Sequence, residues 1–190
     1  MKELTLATPH IHRLVVPFLD IYTTIFLIDT PEGLVVFDTA TYPEDIDNYL
    51  VPALKELGVE SPAWVVISHN HRDHAGGLAR FAELYPATGI AAGSEDCGQR
   101  VEGKPVRVLT DGETLLGPLL AVTIPGHTRD AVGILDTRTG TLLSGDGLQL
   151  YGIMGSGAWG ANIGLIPEHI AAIRKLGSMD IQTILTCHNY

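Results

Sequence analysis

The run Ser68-His69-Asn70-His71-Arg72-Asp73-His74-Ala75-Gly76-Gly77 sets three imidazoles and a carboxylate within residues 69–74. The apolar residues Ala63 to Ile67 lead into it, and Ala75-Gly76-Gly77 leads out. Solvated loops collect charge, but they seldom collect histidine at this density. Imidazole is the commonest protein ligand for zinc and also suits iron. The run therefore reads as the first half of a metal site placed where a buried strand ends.

Upstream, residues 11–38 read as sheet. Ile11 to Phe18, Tyr22 to Ile28 and Leu34 to Phe37 are rich in β-branched and aromatic residues, and Pro31-Glu32-Gly33 is a turn joining the last two as a hairpin. Asp38 closes the third run and either orients a neighbouring loop or serves as a turn acid. Over 43–57, Ile46, Tyr49, Leu50, Ala53, Leu54 and Leu57 trace one helical face, with Pro43 at the first turn and Gly58 as a stop. Pro52 lies inside that span and predicts a kink or a split, because proline removes a backbone bond.

Downstream, Leu78, Phe81, Ala82 and Tyr85 predict a helix over about 77–85, ended by Pro86. Thr88 to Ala92 reads as a short strand and 94–100 as a helical turn. Strands return at Val106–Leu109, Glu113–Leu116, Leu119–Ile124, Ala131–Leu135 and Thr141–Ser144, separated by turns such as Asp111-Gly112 and Thr139-Gly140. Residues 147–164 are glycine-rich and carry Tyr151, Met154 and Trp159 without a clear period, which suits a pocket-lining loop. Pro167 to Leu176 is a third helix. Ile181 to Thr186 is a last strand, followed by Cys187-His188. Sheet, helix, strand, helix is thus followed by sheet, helix, strand. That order predicts an α/β fold with two sheets face to face and helices outside, a four-layer sandwich.

The bulk numbers permit this. A chain of 190 residues is expected to form one domain, 1–190, with a proper core. Hydrophobic content of 45% with 18% charged residues is ordinary for a globular chain. The formal net charge of −10 argues against a nucleic-acid backbone or an anionic membrane as partner. A small anionic substrate stays open, because bound metals reverse the local sign. Cys97 and Cys187 are far apart and read as free thiols of a reducing compartment. With no signal pattern before Leu14 and no membrane-length apolar run, a cytoplasmic location is the expectation.

Three later residues complete the histidine run. His127 stands in Pro125-Gly126-His127-Thr128, Asp146 in Ser144-Gly145-Asp146-Gly147, and His188 after the last strand. Each is a ligand-type residue at a strand end, where sheets can present several to one point. Together with His69, His71, Asp73 and His74 they make five histidines and two aspartates. Seven nitrogen and oxygen ligands exceed the four of one tetrahedral zinc and suit two metals with room for water.

In this order and spacing, these motifs resemble the metallo-β-lactamase superfamily, and Phe37-Asp38-Thr39 resembles its strand-end aspartate. The resemblance covers most of the chain and implies that family's αββα sandwich. It further implies that His69, His71 and His127 hold a first metal. Asp73, His74 and His188 would hold a second, and Asp146 would bridge the two. Two divalent ions lower the pKa of bound water to roughly 7, so a metal-bridging hydroxide can attack a carbonyl carbon or a phosphorus at neutral pH. Asp73 would serve as the catalytic carboxylate that orients this nucleophile. Zinc is the first expectation for both ions, and the donors also admit iron or manganese. His10, His12 and His169 lie outside the pattern and read as surface or packing residues. Arg72 and Arg129 read as solvent-exposed or structurally paired. Cys187 should point away from His188, because adjacent strand residues face opposite ways.

Within the family, the best-known zinc β-lactamases use a cysteine in the second site, and none stands at those positions here, so β-lactam hydrolysis is not the expected activity. His188-Asn189-Tyr190 resembles glyoxalase II, whose tyrosine there contacts glutathione. That branch also resembles a longer chain with a C-terminal helical domain and a lysine near the bridging aspartate, and 147–164 holds no lysine or arginine. The chain is either truncated after Tyr190 or a minimal form. The leading expectation is a dinuclear hydrolase of a small ester, thioester or lactone, with Tyr151, Trp159 and Tyr190 contacting the substrate. The others are a mononuclear iron enzyme like the family's persulfide dioxygenases and a non-catalytic metal-binding domain. The expected partner is a small-molecule substrate.

Overall fold

The expected strands form where residues alternate between two buried faces. In β3 (Ile21–Ile28), Ile25 and Leu27 face one apolar core while Phe26 and Ile28 face another. In β4 (Val35–Phe37) and β5 (Trp64–Ile67), Val36, Val65 and Ile67 face the first core, and Val35, Phe37 and Val66 the second. Side chains of a strand alternate faces, so a strand apolar on both must be covered on both. The computed structural model describes residues 3–19, 21–148 and 163–188. Tyr151, Met154, Trp159 and Tyr190 lie outside these residues.

Two sheets result. The first has seven strands in chain order: β1 (Glu3–Thr8), β2 (Ile11–Phe18), β3, β4, β5, β6 (Gly89–Ala92) and β7 (Val106–Val108). It is antiparallel up to β4 and parallel beyond. The second has five strands, with β12 (Thr183–Leu185), β11 (Thr141–Leu143), β10 (Val132–Asp136), β9 (Leu119–Thr123) and β8 (Thr114–Leu116) in that order. Phe26, Phe37 and Val66 meet Leu119, Ile134 and Leu143 between the sheets. Ile46, Leu50, Leu54, Leu78 and Phe81 cover the outer face of the first sheet, and Ala172 and Leu176 that of the second. This is the four-layer αββα sandwich.

Three details differ from the sequence expectation. β1 was not expected; it is an edge strand whose Leu6 is exposed, so it lacks the two-faced apolar signal. The last strand is shorter than Ile181–Thr186. Around Pro52 the helix does not stop. It runs from α1 (Pro43–Asp45) through a π-helical stretch, Ile46–Leu50, into α2 (Val51–Glu56). The wider π turn relieves the clash between the proline ring and the carbonyl four residues back. Its apolar face is the expected one. Among the described residues, no helix is long and apolar enough to cross a membrane.

Topology decides where the polar residues gather. β4 and β5 are parallel, as are β11 and β12, and β9 runs with β11 because both are antiparallel to β10. The carboxyl ends of β4 and β5 therefore point one way in the first sheet, and those of β9, β11 and β12 one way in the second. Asp38, His69, His127, Asp146 and His188 follow these ends.

The loop after β4 also needs close backbone approach. α3 (Arg72–Ala75) ends at Gly76, whose N–H donates to the Ala40 carbonyl at 3.0 Å. A Cβ on Gly76 would lie 1.9 Å from the Thr41 carbonyl oxygen. Gly76→Ala should therefore destabilise the chain by at least about 2 kcal/mol. Gly112→Ala has a positive φ of 76° but nothing within 4 Å, and should cost only about 1 kcal/mol. Urea midpoints of the two variants check this ranking, and equal midpoints would contradict it.

Candidate metal centre

β5 ends at Ile67, and the next ten residues place four of the candidate ligands. His69 is buried and His71 is exposed. His71 is in an extended conformation and starts α3, which carries Asp73 and His74 in a single turn. The Thr39 N–H and hydroxyl both donate to the His74 carbonyl, at 2.7 and 3.0 Å, and the Thr23 hydroxyl donates to the Asp73 carbonyl at 3.2 Å.

The second sheet delivers the rest. The donor atoms of His69, His71 and His127 lie within 4.8 Å of one another, as do those of Asp73, His74, Asp146 and His188. All seven candidate ligands thus fall into two adjoining sets. Asp146 faces both: one oxygen is 3.5 Å from His74 Nε2 and 3.4 Å from His188 Nε2, and the other is 3.7 Å from His127 Nε2.

The donors fit a metal. The imidazole nitrogens facing inward are 2.9 Å apart between His71 Nδ1 and His127 Nε2, and 3.3 Å apart between His74 Nε2 and His188 Nε2. Two nitrogens on one tetrahedral zinc at 2.0–2.1 Å stand about 3.3 Å apart. His69 Nε2 is buried and has no hydrogen-bond partner among the described residues, a costly state that a ligand to this nitrogen would remove.

The outward nitrogens of His74, His188 and His69 are held by partners that fix their rings. His74 Nδ1 is 2.8 Å from Asp38 Oδ2, His188 Nδ1 donates to the Tyr22 carbonyl at 2.9 Å, and Ser68 Oγ is 3.1 Å from His69 Nδ1. Such contacts turn the free nitrogen toward the metal position and raise its basicity. The strand-end aspartate thus orients a neighbouring loop, the first of its two sequence readings. Asp38 also accepts from the Ser68 N–H at 2.7 Å and from the Ser68 hydroxyl at 2.9 Å. It holds a left-handed φ of 65°, and Ala40 one of 56°, a strain that the surrounding bonds must hold.

Cys187 is fully buried, and its thiol donates to Asp38 Oδ2 at 3.3 Å. With Asp38 and His74 it forms a third group of donor atoms within 4.8 Å of one another. Burial, with the Asp38 charge, pushes this thiol far up from its ordinary range. Ser68, Tyr22 and Thr23 were not singled out from sequence; only the position of Ser68 beside His69 carries a signal. Arg129 is exposed, 3.9 Å from Glu168, and Arg72 stacks over the Tyr42 ring at 4.8 Å. His169 is half-buried and packs on Gly126, where an added Cβ would lie 2.3 Å from its Nδ1.

The electrostatics split the histidines. Burial, then the neighbouring imidazoles, holds His69 well below its ordinary 6.5, and burial with His127 lowers His71. Burial opposes charge on His74 too, but Asp146 and Asp38 push its pKa well above 6.5. Burial would raise Asp73 and Asp146, yet the hydrogen bond from His188 and the charge of His74, respectively, hold both carboxyls below the usual range.

In the metal-free protein, protonated His74 stabilises the fold below about 6.5, and this contribution is lost as pH rises through its raised pKa. His69 and His71 act oppositely, opposing the fold as pH falls below about 6.5. Nitrogen-15 imidazole NMR of the metal-free protein at pH 7 should therefore show a cationic His74 and a neutral His69. A His74 midpoint at or below 6.5 would overturn this assignment.

A sequence profile described as the metallo-beta-lactamase superfamily matches residues 20–188. The chain is 34% identical over 130 residues to a hydroxyacylglutathione hydrolase of Synechococcus sp. (strain JA-2-3B'a(2-13)), covering 65% of this chain and 48% of that one. It is 30% identical over 168 residues to a hydroxyacylglutathione hydrolase of Stenotrophomonas maltophilia (strain R551-3), covering 86% and 59%. The chain spans about half the length of the curated relatives it matches. Among solved structures, the mono-zinc form of the metallo-beta-lactamase FIM-1 from Pseudomonas aeruginosa aligns with a TM-score of 0.78 at 18% identity, covering 100% of this chain and 88% of that one. At that identity the likeness concerns the fold alone. With the profile spanning most of its length, the chain belongs to the metallo-beta-lactamase superfamily.

Proposed function

We propose that the protein is a dinuclear metal-dependent hydrolase of a small thioester or ester, with lactones as a related possibility. The observation that carries this is the pair of donor sets meeting at Asp146, whose two oxygens face one set each. His69, His71 and His127 would hold one divalent ion, and Asp73, His74 and His188 the other, with Asp146 shared. Bound there, two such ions supply an activated water and Lewis-acid polarisation of a carbonyl oxygen. Asp73 is ionised at neutral pH, so its carboxylate would accept a hydrogen bond from the attacking water. Ser68, Tyr22 and Asp38 keep the imidazoles aimed. A mononuclear iron enzyme needs only one set, so the completeness of both supports two ions.

The hydroxyacylglutathione hydrolases among the relatives support a thioester. The Cys187 thiol bonds to Asp38, and the four side chains of the second set, Asp73, His74, Asp146 and His188, include no cysteine, which speaks against the cysteine-bearing second site of β-lactamases. Zinc suits the mixed nitrogen and oxygen donors; a relative in fold, TTHA1623, was solved in a di-iron-bound form, and iron remains the competing metal.

A panel of S-acyl thioesters, generic esters, lactones and phosphodiesters, assayed with the zinc-, iron- and manganese-loaded protein, tests this. Thioester or ester cleavage that disappears with chelation and returns with metal is expected. Turnover of only phosphodiesters, or none with any metal, would overturn it. Asp146→Ala should abolish cleavage and reduce metal uptake from about two equivalents to one or fewer. Asp38→Ala should keep both ions but weaken affinity or activity roughly 10–100-fold. Equal metal content in wild type and Asp146→Ala would remove the shared-ligand assignment.

A further inference from the structure

Asn70 separates two candidate ligands, His69 and His71, and both of its peptide planes are fixed. Its N–H donates to Asp130 Oδ2 at 3.2 Å. Its carbonyl accepts from Arg100 Nη2 at 2.9 Å, and its side-chain oxygen accepts from Arg100 Nε at 2.8 Å. Two residues earlier, the carbonyl of Ser68 accepts from the Val132 N–H at 2.9 Å. The guanidinium thus holds Asn70 with two donors in its planar fork, a geometry a lysine cannot reproduce.

The placement bears on the three-histidine set. The N–H of Asn70 belongs to the peptide joining it to His69, and its carbonyl to the peptide joining it to His71. Rotation of either plane would swing one imidazole against the other. Asp130 lies three residues past His127, so the same contact ties the loop of the third histidine to the first two. Arg100 ends a 3₁₀ turn, Glu95–Arg100, after β6. Gly93 lets the chain there approach the Asp130 loop, because a Cβ would lie 2.0 Å from the Asp130 carbonyl oxygen.

We propose that Arg100 is a positioning residue for the His69, His71 and His127 donor set, acting through Asn70, with Asp130 as its counterpart on the opposite side. It contacts none of the three imidazoles and sets the angle at which His69 and His71 diverge. This rests on the assignment of those three histidines to one metal ion. The second set does not depend on it, since His74 and His188 are oriented by Asp38 and the Tyr22 carbonyl.

The test is stepwise zinc binding to the full chain by chelator competition, together with the visible spectrum of the cobalt-substituted protein and circular dichroism for the fold. Arg100→Ala should weaken one of the two binding steps roughly 10–100-fold and leave the other unchanged, with an altered cobalt spectrum for the affected site. Arg100→Lys keeps the charge but not the fork, and should show a smaller loss at the same step. It serves alone if the alanine variant does not fold. Wild-type binding at both steps in Arg100→Lys and Arg100→Ala, or equal weakening of both steps, would overturn the proposal. His71→Ala, measured in parallel, should lose one equivalent. If wild type takes up fewer than two ions, or His71→Ala keeps them all, the ligand assignment itself fails and the positioning role falls with it.

Discussion

The carboxylate of Asp38 joins the two sheets beneath the candidate metal ligands. It stands after β4 in the first sheet and is fully buried. It accepts from the Ser68 N–H and hydroxyl after β5, pairs with the His74 ring on α3, and accepts from the Cys187 thiol beyond β12 of the second sheet. A buried carboxylate costs several kcal/mol unless its lone pairs are met, and here donors converge on it from both sheets. The left-handed backbone at Asp38 and Ala40, with the close approach of Gly76 and Gly77 to residues 39–41, are the local consequences of bringing that carboxyl under His74.

From that contact the site follows by topology. Parallel pairing of β4 with β5 and of β11 with β12 sends ligand-bearing strand ends one way within each sheet. Packing the sheets through Phe26, Phe37, Ile134 and Leu143 brings the two groups of ends together. The apolar core therefore sets the distance between the donor sets, and the hydrogen bonds behind His69, His74 and His188 set the direction of their free nitrogens. The inward nitrogens are thereby left 2.9 and 3.3 Å apart, a spacing close to that of two nitrogens on one cation.

Much of this was legible in the sequence. The histidine run, the apolar face of 46–57 and the Pro31-Gly33 hairpin carry local signals of period, spacing and turn chemistry. The later candidate ligands stood out through their short motifs after apolar runs, with their grouping supplied by resemblance. The supports were not. His188 and His74 are 114 residues apart, and no local pattern foretells that Tyr22, in a third element, would hold His188. Asn70 looks like filler between two histidines until Arg100 is placed beside it. β1 escaped notice because an edge strand need bury only one face, and the π turn before Pro52 because proline alone predicts a break without saying how a helix can widen around it.

The most direct measurement is anomalous diffraction from crystals of the zinc-loaded protein. Two zinc peaks about 3.5–4 Å apart are expected. One should be bounded by His69, His71 and His127, the other by Asp73, His74 and His188, with Asp146 between them. A single peak at either set, or zinc bound away from these seven side chains, would contradict the two-metal account.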